Sequence, residues 1–345
     1  MTADNMTDGN PTTAVLLINL GGPDSLDSVE PFLYNLFSDP DIMGYNKIFS
    51  PLFIKPLAKF IARKRTPLVK SYYSMIGGKS PIVGLTMRQG KALEEALSSY
   101  GNIWVFVSMR YCHPTIEEAV EDMLTFPLEK IIVLPLYPHY SVTTTGSSIN
   151  EFNRVMRQLG AGNVETHIIK EWYDNPTYID AMCDTIQKTI ESHKLNIRKT
   201  HIVFSAHGIP LRFIRRGDPY AKQIEKCAVL VAGKLGAAEN YHLSYQSRVG
   251  LLKWLGPSTE EVLKGLGEKG AKDVVLVPVS FVSDHVETLY EMDILYREKA
   301  KGYGISNFYR VPALNDSPLL IDALKDIVLQ AYIGNPEKKI LNPKH

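Results

Sequence analysis

The segments KIIVLPLYPHYS (130–141) and KDVVLVPVSFVSDH (272–285) read alike. Each places a β-branched apolar run behind a lysine and carries it through a proline into polar and aromatic residues. A short run that is apolar on both faces marks a strand buried inside a parallel sheet. Working outward, 14–20, 103–109 and 164–169 have the same character around the first segment. So do 201–206, 241–246 and 307–311 around the second. With 131–136 and 274–280 they make two sets of four strands. The first strand of each set ends in a glycine turn before proline: Gly21-Gly22-Pro23 and Gly208-Ile209-Pro210. Helical patterns at 86–99, 115–124, 147–159, 176–193, 217–235 and 258–269 lie between the strands, and 316–332 follows the last. The expected fold class is α/β, with two similar doubly wound halves, each a four-stranded parallel sheet flanked by helices. Strands of any doubly wound fold look alike, but shared features at matching positions favour a repeat.

The spacings single out one segment. From first to second strand start, the first set runs 89 residues and the second 40, an excess of 49. An insertion of that size in a compact fold is usually a lid or binding loop. The expected division is 12–170 for an N-terminal domain with a lid at about 40–82, 171–313 for a C-terminal domain, and 314–335 for a helix packing back on the body. Within the insertion, IFSPLFIKPLAKFIARKR (48–65) puts Leu57, Phe60 and Ile61 on one helical face and Lys55, Lys59 and Arg63 on the other. Pro56 suits a helix start. This composition fits an interfacial membrane helix, and equally an amphipathic helix packed on the body. The basic cluster Arg63-Lys64-Arg65 can meet lipid headgroups or an anionic substrate.

Bulk properties exclude other classes. The net charge of +1 gives no support to a nucleic-acid binder. Cys112, Cys183 and Cys227 are scattered, with no C-x-x-C pair, which fits reduced thiols and gives no case for a cysteine-held cluster. No stretch approaches the ~20 apolar residues of a membrane span, and Met1–Thr13 lacks a basic signal region. A cytoplasmic protein is expected, with any membrane contact peripheral.

Common motifs fail. Gly78-Lys79-Ser80 resembles a P-loop end, but Tyr73 holds the upstream glycine position. There is no G-x-G-x-x-G after the first strand, no H-E-x-x-H and no G-x-S-x-G. His285-Val286-Glu287 lacks the P-C-x-x-C of zinc deaminases. What remains sits at the C-terminal ends of strands, where α/β ligand sites occur. His207 follows strand 201–206, and Asp284, His285, Glu287 and Glu291 follow 274–280. Arg110, Tyr111 and His113 follow 103–109, and Tyr137, His139 and Tyr140 follow 131–136. Glu287 and Glu291, four apart, share a helix face, either as a working row or as a solvated edge.

Seven pieces run in order over nearly the whole chain: LLINLGGPDS (16–25), RTPLVKSYYSMIGGKSPI (65–82), MRYCHPTIEEAV (109–120), LPLYPHYSVTTTGSS (134–148), FSAHGIP (204–210), YQSRVGLLKWLGP (245–257) and SFVSDHVETLYEMD (280–293). Together they resemble the ferrochelatase family. The resemblance implies two Rossmann-like domains with a porphyrin cleft between them. It implies insertion of ferrous iron into protoporphyrin IX, with His207 and Glu287 as the central catalytic and metal-meeting pair. Asp284, His285 and Glu291 then form a proton or metal relay. Tyr111 and Trp254 match pocket-lining positions, Arg65, Arg110 and Ser80 match positions that hold propionates or shape the pocket, and Leu20 falls at a variable lining position. The chemistry suits the residue types. A neutral imidazole accepts pyrrole protons, and open oxygen and nitrogen donors pass a metal on where a closed cage would keep it. Some relatives carry a cysteine-rich extension with a [2Fe–2S] cluster. This chain ends EKKILNPKH, so no cluster and no permanent cofactor are expected, only Fe2+ as substrate. The lid leaves room for peripheral contact with the inner membrane. The alternatives are a coproporphyrin ferrochelatase, a cobalt or nickel chelatase, and a non-catalytic porphyrin or haem carrier.

Overall fold

The computed structural model describes residues 12–44, 51–247 and 252–333, with Pro51–Phe53 as backbone only. The expectations for Met1–Pro11, Ile48–Ser50, Arg248–Leu251 and the EKKILNPKH tail lie outside the described residues. The expected strands form as β1 (Thr12–Asn19), β2 (Ile103–Met109), β3 (Leu128–Pro135), β4 (Glu165–Ile168), β5 (His201–His207), β6 (Tyr241–Gln246), β7 (Asp273–Pro278) and β8 (Asn307–Arg310). They build two all-parallel sheets of the same order, β2-β1-β3-β4 and β6-β5-β7-β8.

The two halves correspond residue by residue. Ile18 faces Ser108 and Pro135 across its sheet, and Ser205 faces Ser244 and Pro278. Ser108 Oγ donates to Leu17 O at 3.2 Å, and its counterpart Ser244 to Phe204 O at 3.1 Å. Met109 N donates to Pro114 O at 2.6 Å, and Tyr245 N to Pro257 O at 2.9 Å. In both halves a capping box then starts the next helix, Thr115 with Glu118 for α5 (Ile116–Met123) and Ser258 with Glu261 for α10 (Thr259–Glu268).

The insertion explains the excess length. Between β1 and β2 run α1 (Val29–Ser38), α2 (Pro40–Met43), α3 (Pro51–Met75) and α4 (Ile82–Leu97). Between β5 and β6 stand only α8 (Leu211–Arg215) and α9 (Tyr220–Lys234). Pro56 does not start α3; it lies inside the helix, as does Pro67, while Pro51 takes the first position. Both interior prolines remove a helix N–H, so α3 depends on its packing. Ala58, Ala62, Val69 and Tyr73 are its buried face, against Val29, Phe32 and Leu33 of α1. Leu57, Phe60, Leu68 and Met75 are 44%, 65%, 53% and 56% exposed, and Ile61 is half-buried. The small-residue side meets the body, and the large apolar side stands in solvent beside Lys64.

The remaining helices are α6 (Ser147–Gln158), α7 (Pro176–Ser192), α11 (Tyr296–Gly302) and α12 (Pro318–Ile333). Two π-helical stretches, Val142–Gly146 and Glu287–Leu295, follow β3 and β7. The last helix, α12, packs on α4 and α7. One apolar cluster joins the halves, from Val15, Leu17 and Leu93 through Tyr178 and Ile186 to Phe204, Val231, Val277 and Leu324.

Candidate active site

His207 ends β5, and its backbone is held on both sides. Its N–H donates to Ser280 Oγ at 3.0 Å, and its carbonyl accepts from the Tyr220 hydroxyl at 3.0 Å. Next to it, Gly208 N donates to Gln246 O at 2.9 Å. A Cβ on Gly208 would stand 2.7 Å from that carbonyl, so only glycine allows the approach. His207 Nδ1 meets Glu287 Oε2 at 2.8 Å, leaving Nε2 as the ring nitrogen without a partner among the described residues.

Glu287 opens the π-helix after β7. Its Oε2 also accepts from Gln246 Nε2 at 3.2 Å and lies 3.0 Å from Ser247 Oγ. Ser247 Oγ lies 2.5 Å from Glu291 Oε2 as well, while Ser247 N and the Tyr296 hydroxyl donate to Glu291 Oε1 at 2.9 and 3.0 Å. Ser247 takes φ +62°, a costly backbone for a non-glycine residue and one that concentrates at functional sites. The two carboxylates share a side, as expected, but the turn is π-helical and a serine joins them.

Their protonation differs. Burial raises the Glu287 carboxyl, but the charge and hydrogen bond of His207, with His285 and Gln246, outweigh it and hold Glu287 at about 2. Burial lowers His207, but Glu287 and Glu291 outweigh that and leave it raised. Glu291 is raised by burial and by the Glu287 charge, against its bonds to Ser247 and Tyr296. A hydroxyl carries one proton, so Ser247 Oγ donates to one carboxylate only. The raised Glu291 is the group suited to supply the second proton. With 39% of the His207 side chain open, solvent screens part of its attraction to Glu287.

The other predicted residues separate. His285 is buried, lowered by that burial, with Nε2 3.9 Å from Glu287 Oε1 and Nδ1 3.1 Å from Ser283 O. Asp284 belongs to a different network: its carboxylate accepts from Arg310 at 2.8 Å, Asn315 at 2.9 Å and Thr288 at 2.7 Å. Arg110 and Tyr111 are joined by a residue that the sequence did not flag. Asp39 Oδ2 accepts from Arg110 at 2.9 Å, from the Tyr111 hydroxyl at 2.6 Å and from Ser147, while Asp39 Oδ1 accepts from Asp41 N at the start of α2. Ser80 is buried against Gly22. Arg65 lies over the Phe37 ring at 5.7 Å, with no carboxylate partner among the described residues. Leu20 packs in the cluster of Tyr73 and Tyr111, and Trp254 lies beside Gly208. His113 points outward to Glu118, and His139 is buried with neither ring nitrogen hydrogen-bonded among the described residues. Tyr72 of α3 stacks on Tyr290 of the π-helix, with ring centroids 4.2 Å apart.

The repeat arms one half only. By register, His207 corresponds to Leu20. Counting nine residues on from Pro278 and Pro135, Glu287 corresponds to Thr144, and Glu291 then to Ser148.

The ferrochelatase family model matches residues 12–332. The chain belongs to the ferrochelatase family. The ferrochelatase of Geotalea uraniireducens is 50% identical over 92% of this chain and 97% of its own. Those of Aquifex aeolicus and of a Picosynechococcus species are 47% and 46% identical, covering 91% and 96% of this chain and 97% and 86% of theirs. The fold is shared with SirB from Bacillus subtilis with Fe3+, at a TM-score of 0.55 and 13% identity, over 92% of this chain and 95% of that one. Ferrochelatases are metal chelatases, so this chain carries the enzyme class expected from its sequence.

Proposed function

We propose that this ferrochelatase-family chain inserts ferrous iron into protoporphyrin IX to form protohaem, the terminal step of haem biosynthesis. The observation that carries the reading is the 2.8 Å pair between His207, at the end of β5, and Glu287, at the start of the π-helix that follows β7, with Ser247 and Glu291 behind it. Metal insertion releases two pyrrole protons. His207 Nε2 is the nitrogen placed to accept one and, after that proton has left, the other, and Glu287 steadies the imidazolium that forms each time. Ser247 and Glu291 give the proton a way off. Iron is substrate here, and His207 with Glu287 offers an open nitrogen–oxygen pair that passes it on. Of the two predicted arginines, Arg65 has no carboxylate partner among the described residues and is the one left to meet a propionate, while Arg110 and Tyr111, engaged by Asp39, shape the wall with Leu20, Ser80 and Trp254.

The exposed apolar side of α3 favours the less carboxylated porphyrin. Purified protein, given Fe2+ anaerobically with protoporphyrin or coproporphyrin, should metallate protoporphyrin faster, followed by absorbance. Faster turnover of coproporphyrin would move the substrate. Binding without metallation would leave only a carrier, and a preference for cobalt or nickel over iron would change the metal.

No described helix is long and apolar enough to cross a membrane. We propose that the α3 stripe makes peripheral contact with the inner membrane from the cytoplasmic side. Replacing Leu57, Phe60 and Leu68 with serine should lower flotation with phosphatidylglycerol-containing vesicles. Unchanged flotation would place the membrane face elsewhere.

A further inference from the structure

The backbone of His207 is tied to the other half of the molecule. Asp218, buried in the loop between α8 and α9, accepts hydrogen bonds from both halves. Its Oδ2 accepts from Ser141 Oγ and Val142 N of the first half, both at 2.9 Å. Its Oδ1 accepts from Tyr220 N at 3.0 Å. Tyr220 starts α9, and its hydroxyl donates to the His207 carbonyl. The same first-half segment is fastened again nearby, where Tyr140 N donates to Gln223 Oε1 at 2.6 Å. The buried His139 ring meets Tyr220 edge-on, with centroids 6.3 Å apart. A continuous line of bonds therefore runs from the segment after β3, through Asp218 and Tyr220, to the carbonyl of His207.

We propose that Asp218 and Tyr220 are positioning residues for His207, and that through them the seating of the two halves sets the His207–Glu287 geometry. The inference rests on the role given to His207 above. A side-chain hydrogen bond 2.8 Å long depends on where its backbone stands, and the His207 carbonyl is the anchor that Tyr220 holds. Small displacements of a reacting group lower turnover steeply without changing binding. The first half, which carries no counterpart of His207, thereby takes part in the chemistry of the second.

Tyr220→Phe removes one oxygen and keeps the ring against His139. It should lower kcat about tenfold or more, leave KM for porphyrin unchanged and shift the His207 imidazole resonance in the metal-free protein. Asp218→Ala should act in the same direction, and the double variant should be no worse than the stronger single one, because both cut the same line. Should Asp218→Ala fail to fold, Tyr220→Phe alone decides. A parental kcat and imidazole resonance in Tyr220→Phe, or fully additive losses, would overturn the inference. His207→Ala, run alongside, separates the two levels. Retained turnover there removes the reading of the site and this inference with it. Lost turnover there with a parental Tyr220→Phe removes this inference alone.

Discussion

His207→Ala is expected to lower the rate of metal insertion by about a hundredfold to ten-thousandfold, while porphyrin still binds. The imidazole is fixed at Nδ1 by Glu287 and leaves Nε2 without a partner among the described residues, and no other described ring nitrogen beside Glu287 is so placed. His285 is turned to Ser283 and Glu287, and His139 is sealed away. Turnover and porphyrin affinity, measured separately, decide the matter, and near-parental turnover would take His207 out of the mechanism. The pair also has a titration signature. Glu287 raises His207, so in metal-free protein the imidazole should titrate above the ordinary 6.5. Glu287→Gln removes that attraction while burial remains, so the midpoint should fall. An NMR titration of the imidazole that stays put in Glu287→Gln would show that the carboxylate does not govern it.

Asp39→Ala should cost about 3–5 kcal/mol of stability, because it strands a largely buried cation. The Asp39 side chain is 1% exposed and that of Arg110 17%. The same substitution removes the acceptor of the Tyr111 hydroxyl and the cap at the start of α2. Denaturant unfolding of the two proteins gives the difference directly. Adding Arg110→Met to Asp39→Ala should recover part of the loss, since no charge is then left buried. A loss below about 1 kcal/mol would mean that the pair behaves like a surface ion pair.

Both halves and their strands could be read from the sequence because a buried parallel strand writes itself locally, as a short apolar run between turns. His207 and Glu287 were legible as candidates because they lie near the ends of such runs, but Arg110, His113, His139 and Asp284 do too, and it is the resemblance to the ferrochelatase family that singles out the pair. The partners that tune them were not. Gln246 and Ser247 lie inside YQSRVGLLKWLGP (245–257), but only the pairing of β6 with β5 puts them beside Glu287. Asp39 precedes a proline and reads as a helix cap; its bonds to Arg110 and Ser147 span 71 and 108 residues. Asp284 looked like part of an acidic row because it stands three residues before Glu287, yet Arg310 and Asn315 claim it from the other side. Pro51 and Pro56 both satisfy the rule for a helix start, and the apolar periodicity begins only at the second, so the sequence alone points to Pro56 where the helix starts at Pro51. The π-helices leave no local periodicity of their own. The signal that was available is the register of the repeat, which aligns Ser247 with Tyr111.

The apolar cluster that joins the two sheets also orders events during synthesis. Leu93 and Leu97 of α4 face a cluster completed by Leu320, Leu324 and Val328 of α12, the last described helix. A ribosome releases the first half more than a hundred residues before those side chains exist. Until then the first repeat carries an uncovered apolar flank, the kind of surface on which nascent chains aggregate or recruit chaperones. Two halves that resemble independent units are thus committed to finishing together.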